Sequence, residues 1–141
     1  VEFIGTYLVN HATKHEREEA RAKKYAALAE AIAVGDGRKF ISALVQIDLD
    51  STGDWAARQE VIYTSFEDLT RRPEVGQLIK DEVNLANERL ARVETVRAFK
   101  LLPKELHQDD GEMTATQKVR RRAVIEKFAP LINTIYGVPN G

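Results

Sequence analysis

Polar and apolar positions along the 141-residue chain fall into blocks of distinct period. Residues 11–24, HATKHEREEARAKK, are almost wholly polar, with Glu16, Glu18 and Glu19 set among Arg17, Arg21, Lys23 and Lys24. Opposite charges four apart, such as Glu19 and Lys23, predict a solvated helix that ends near Ala27. Asp36-Gly37 is a two-residue turn signal, and the apolar run from Phe40 to Ile47 after it reads as a strand. A hairpin needs a first strand, and residues 30–34 supply it. Asp50 to Gly53 reads as a loop and Asp54 to Tyr63 as a short helix carrying Trp55. Ser65 and Asp68 have capping-box spacing. Pro73 suits the first turn of a helix in which Val75, Leu78, Ile79, Val83, Ala86 and Leu90 keep helical spacing. Thr95 to Leu102 is a strand stopped by Pro103. An acidic loop, His107 to Glu112, precedes a short strand, Met113 to Thr116. Two short helices, Arg121 to Phe128 and Pro130 to Tyr136, and a frayed tail VPNG complete the chain. The expected fold is a small mixed α+β domain with a hairpin, one or two further strands and four or five helices.

Length fits one domain able to bury a core. Lys plus Arg number 21 and Asp plus Glu 22, so the net charge is −1, which argues against wholesale polyanion binding. Without cysteine there is no disulfide, thiolate metal site or thiol nucleophile. The apolar opening VEFIGTYLVN lacks a basic leader and is too short to span a membrane. The first residue is Val1 and the only methionine is Met113, which fits an alternative start codon or a piece cut from a longer chain.

Candidate chemistry is sparse. His11 and His15 share a helical face, but no third metal ligand is fixed by the sequence. His107 stands beside Asp109 and Asp110 without an evident nucleophile. Gly35-Asp36-Gly37 lacks the remainder of a phosphate-loop motif and lies between two strands. Lys118, Arg120, Arg121 and Arg122 form a compact basic cluster without interleaved aromatics. Thr114 and Thr116 would share one face of a strand, and Lys118 continues that parity. A lysine at such a place is a point charge suited to a phosphate or carboxylate supplied from elsewhere, or a plain surface lysine.

VGDGRKFISALVQID, STGDWAARQEVIYTSFEDLTRRPEV, IKDEVNLANERL, VRAFKLLPKEL, DDGEMTATQKVRRR and EKFAPLINTIY occur in that order. Together they resemble the carboxy-terminal lid domain of AMP-forming long-chain fatty-acid–CoA ligases, over roughly residues 29–138. The resemblance implies a chain divided into a divergent charged helical segment, residues 1–28, and a lid domain, residues 29–141. It implies a reaction in which ATP and a fatty acid give an acyl-adenylate, and CoA then gives acyl-CoA and AMP. Lys118 would bridge the fatty-acid carboxylate and the α-phosphate in the first half. Thr114, Thr116, Arg121 and Arg122 would line the nucleotide side or hold the lysine loop. ATP and CoA are then co-substrates, and Mg2+ arrives with ATP without being bound here. The implied partner is a large amino-terminal adenylation domain, in cis or in trans. The phosphate loop, ribose-binding acid and acyl tunnel belong to that domain, so this chain alone is expected to be inactive. The expected place is the cytoplasm, or the membrane surface as a peripheral protein, with no nucleic acid bound. Ala115 and Gln117 stand where relatives often carry proline or basic residues. The hinge residue has no match, because the charged helix stands in its place. Two other readings are a non-catalytic interaction module using residues 11–28, with Ala20, Tyr25 and Leu28 as its apolar seam, and a basic nucleotide- or RNA-binding domain.

Overall fold

The computed structural model describes residues 3–9 and 28–137. The helix expected over residues 11–27, with His11, His15, Ala20 and Tyr25, lies outside the described residues, as does the VPNG tail. The architecture is α+β, as expected. Helix α1 spans residues 3–9. Strands β1 (Leu28–Val34) and β2 (Ile41–Ile47) follow, then helices α2 (Leu49–Arg58), α3 (Phe66–Thr70) and α4 (Pro73–Asn87). Strand β3 (Val96–Leu101) leads through a loop and a hairpin to helices α5 (Arg121–Lys127) and α6 (Ala129–Tyr136). The sheet order is β1-β2-β3, with β1 antiparallel and β3 parallel to β2. The α2–α4 segment is therefore the crossover that a parallel neighbour requires.

Central strand β2 has helices over both faces. Ala43, Val45 and Ile47 face one core with Ala56, Leu69, Val75, Ile79, Val83 and Ala86, and Ile4 and Leu8 of α1 join it. Leu44 faces the second core with Ile32, Val34, Leu102, Leu106, Val124 and Ile132. Burial on both sides explains why residues 41–47 read as a continuous apolar run rather than an alternating one. The polar side chains buried in β2 are bonded. Gln46 Oε1 accepts from Leu106 N at 2.8 Å, and Ser42 Oγ lies 2.9 Å from the Tyr136 hydroxyl. Leu28, placed above in the apolar seam of a partner helix, is buried at the start of β1, because its strand pairing with Ile47 turns it into the core.

Local signals explain most boundaries. Ser65 caps α3, accepting from Asp68 N at 3.0 Å, and Asp68 in turn accepts from Thr64 N at 2.9 Å. A hydrogen bond from Arg72, then one from Thr64 N, hold the Asp68 carboxyl below the usual range. Two expectations are corrected. Residues 50–53 are the first turn of α2 and not a loop, because Asp48 caps the helix through Ser51 N at 2.9 Å; the helix ends at Arg58, short of Tyr63. The connection between β1 and β2 is also wider than a two-residue turn, since Val34 pairs with Ser42. Arg38 N donates to Gly35 O at 3.0 Å, and Gly37 takes the left-handed conformation, φ 71°. The extra length lets the Phe40 carbonyl accept from the Tyr136 hydroxyl at 2.7 Å and brings the Arg38 guanidinium over the Tyr136 ring.

Beneath the hairpin that follows β3 lies a buried carboxylate, Glu112, 1% exposed. Lys104 Nζ and His107 N donate to its Oε1, and Lys127 Nζ lies 2.7 Å from its Oε2. Lys104 also donates to Asp110 at 2.6 Å. Burial pushes the Glu112 carboxyl up, but its donors outweigh burial and hold it below the usual value. The Lys104 hydrogen bond lowers Asp110 as well. Burial draws Lys104 down, and its two carboxylates more than reverse this.

Two outcomes follow from these contacts. A Cβ on Gly5 would stand 2.2 Å from the Ala31 carbonyl oxygen, a backbone atom. Gly5→Ala should thus lower stability by about 1–3 kcal/mol in urea unfolding, although an open helical site would gain about 1 kcal/mol. Depressed carboxylates stabilise the fold above their unfolded pKa, and that contribution is lost as pH falls through the folded value. Stability should thus fall on acidification from neutral pH to about pH 3. Lys104→Met should cost about 1–3 kcal/mol at neutral pH and flatten this acid dependence, because Asp110 and Glu112 both lose a donor that lowers them.

Candidate active-site hairpin

The stretch read above as a strand over residues 113–116 is a tight hairpin. Met113 bridges Val119, Arg120 N donates to Glu112 O at 2.8 Å, and Thr114 N donates to Lys118 O at 2.8 Å. Gln117 N closes the turn on Thr114 O at 2.9 Å. Gln117 takes φ 63°, a left-handed conformation that costs a non-glycine residue about 1–2 kcal/mol. The chain must reverse within four residues, and this turn overrides the alternation expected of the two threonines. They still come together: Thr114 Oγ1 lies 3.1 Å from Thr116 Oγ1 and accepts from Lys118 N at 3.1 Å. Their hydroxyls serve the turn.

Lys118 is exposed near the hairpin tip and makes no ion pair among the described residues. The arginines diverge. Arg120 Nη1 donates to Gly111 O at 3.1 Å. Arg121 turns toward the sheet, donating to Ala33 O at 2.7 Å, with Asp36 3.9 Å away. Arg122 is 96% exposed, with Glu126 3.8 Å away. The basic run is therefore not one continuous phosphate-facing patch. Lys118 and Arg121 border a cleft of about 430 Å³ whose other walls include Gly5, Thr6, Glu30 and Gln117. Burial raises the Glu30 carboxyl there.

His107 Nδ1 accepts from Asp109 N at 3.1 Å and lies 3.7 Å from Asp109 Oδ2, so it caps its own turn. Among the described residues, no three His, Asp or Glu side chains are grouped to hold a metal ion, and no helix is long and apolar enough to cross a membrane. Sequence reasoning missed Glu112 as a buried anchor and Glu30 as a cleft wall. The signal for Glu112 was weak: an acid directly before Met113, in a loop whose other acids are exposed.

Comparisons with known proteins show the family of the chain. Residues 13–138 match the family model for the AMP-binding enzyme C-terminal domain. The long-chain-fatty-acid–CoA ligase FadD15 of Mycobacterium tuberculosis is 35% identical over 119 residues, 84% of this chain and 20% of that protein. The long-chain-fatty-acid–CoA ligase 1 of Cavia porcellus is 31% identical over 99 residues, 69% of this chain and 14% of that protein. This chain therefore spans about a fifth or less of the relatives it matches. The adenylation domain of a carboxylate reductase from Mycobacterium chelonae superposes with TM-score 0.59 at 16% identity, over 79% of this chain and 16% of that one. An A-PCP didomain of a carboxylic acid reductase from Segniliparus rugosus, in complex with AMP, gives 0.57 at 15% identity over 86% and 16%. With its family match, its long-chain ligase relatives and the adenylation-domain fold, the chain belongs to the AMP-binding enzyme C-terminal domain family.

Proposed function

We propose that this chain is the lid portion of a long-chain fatty-acid–CoA ligase and that Lys118 carries its part of the adenylation half-reaction. The observation behind this reading is Lys118 itself: an ammonium without a carboxylate partner among the described residues, on a hairpin closed by four hydrogen bonds. A fatty-acid carboxylate and the α-phosphate of ATP repel one another as they approach. A fixed cation between them offsets that repulsion and stabilises the charge of the transition state. Thr114 and Thr116 serve by shaping the turn that presents Lys118. Arg121 holds the hairpin to the sheet through Ala33 O, and Arg122 remains free to dock against another surface.

ATP, its Mg2+ and the acyl chain would be held by a large amino-terminal domain, joined in cis or supplied in trans, and CoA would attack after the lid turns. The chain alone should be inactive, since one lysine without a nucleotide pocket supplies no positioning of the reactants. The divergence of Arg120, Arg121 and Arg122 favours this reading over a nucleic-acid interface, which needs cations aligned along a backbone. A cytoplasmic setting, whether or not at a membrane surface, accords with this role.

The test is ATP–pyrophosphate exchange with a long-chain fatty acid, on the chain alone and mixed with the lid-less large domain of a related ligase. Exchange is expected only in the mixture. Lys118→Ala should lower it about 100–1,000-fold, the scale for loss of one transition-state electrostatic contact. Thioester formation from preformed adenylate should stay within a few-fold of the original. Lys118→Arg should not restore exchange, because a planar fork replaces a compact point charge. Equal losses in both halves would overturn the assignment.

A further inference from the structure

We infer that Glu112 is a positioning residue for Lys118, setting the hairpin tip by clamping the hairpin base between two lysines. The inference rests on the proposed role of Lys118, six residues further along the chain.

The hairpin has three successive cross-connections. Glu112 O accepts from Arg120 N, Met113 bridges Val119, and Thr114 N donates to Lys118 O. Glu112 thus supplies the lowest rung with its backbone. Its side chain points away from the tip and is almost wholly buried. Oε2 meets Lys127 of α5, the helix into which the returning arm of the hairpin runs. Oε1 meets Lys104 and His107 N, both on the segment that leaves β3. One carboxylate therefore ties together the outgoing arm, the helix after the returning arm, and the segment leaving the sheet. Thr114, Thr116 and Lys118 are exposed, so the hairpin's other anchors are the apolar contact of Met113 and Val119 with the second core and the bond from Arg121 to Ala33 O.

The charged groups facing Glu112 are Lys104 and Lys127; Asp110 shares Lys104, and His107 contributes its backbone N–H. Without the negative charge, the two ammonium groups repel across the base and the rung loosens. A tip free to wander by about 1 Å can cost on the order of 100-fold in a reaction that depends on placement. Thioester formation from preformed adenylate, which does not use Lys118 in the proposed mechanism, should be spared.

The experiment is Glu112→Gln, read in two ways. In the full chain, amide hydrogen exchange at Thr114 and Arg120 should quicken at least about tenfold while Ala43 and Val45 of β2 stay protected. In the mixture with a large domain, kcat for pyrophosphate exchange should fall on the order of tenfold to 100-fold. KM for the fatty acid and the thioester half-reaction should be unchanged. Lys127→Met, which keeps the carboxylate but removes its tie to α5, should act in the same direction and serves if the glutamine variant does not fold. Unchanged Thr114 and Arg120 amides, or equal losses in both half-reactions, overturn the inference. Full exchange activity in Lys118→Ala overturns the reading of Lys118 instead, and is recognised because the hairpin amides still quicken in Glu112→Gln.

Discussion

Burial of β2 on both faces is the constraint from which the rest of this structure follows. A strand apolar on both sides requires a layer of helices above and another below. The first layer is built from α2, α3 and α4, whose inward residues keep the helical period expected of an amphipathic element. The second comes from the carboxy-terminal helices, short pieces that could not hold together alone. Placing α5 and α6 on the second face also places the hairpin, because the hairpin runs directly into α5. The position of Lys118 is therefore a consequence of which face of a hydrophobic strand its helix covers.

Two carboxylates show how local partners decide the state of a buried acid. Glu30 and Glu112 both lose water, and in both burial raises the carboxyl. Glu112 is the more deeply buried, yet its carboxyl ends below its ordinary value and that of Glu30 above. The difference is Lys104, Lys127 and His107 N, which replace the lost water with donors. Desolvation of a charge is tolerated where geometry supplies counter-charges and hydrogen bonds, and resisted where it does not. The same contrast separates Lys118 from Lys104: the first makes no ion pair among the described residues and the second pairs with two carboxylates.

Elements whose signals are local were legible in the sequence. The Ser65 cap, Pro73 at a helix start, the apolar spacing of α4 and the stop at Pro103 each act within a few residues. Strand β1 was legible only through its partner, since its alanines favour a helix until a turn and a second strand follow. Two local signals were misread because they compete. Asp50-Ser51-Thr52-Gly53 has loop composition, but Asp48 before it offers a cap, and Gly53 fits where the Tyr63 hydroxyl would lie 2.8 Å from an added Cβ. Thr114 and Thr116 alternate as in a strand, but the chain must turn back before Lys118.

The candidate site divides the same way. Lys118 could be singled out in the sequence because it stands in an ordered motif, after Thr114 and Thr116 and before the arginines. What supports Lys118 was not legible. Lys104 and Glu112 are eight residues apart, and Lys127 lies fifteen beyond Glu112. No helical or strand period links them. They meet because β3, the loop after it and α5 converge at one point under the hairpin, and that convergence is set by the second core. Arg121 is similar, since its contact with Ala33 crosses 88 residues of sequence. A candidate cation can be picked out from its neighbours in the chain, but the groups packed beneath its hairpin are found only from their neighbours in space. Sequence alone would class Lys104, Glu112 and Lys127 as ordinary surface charge, yet they form the base of the hairpin that carries Lys118, with Glu112 buried.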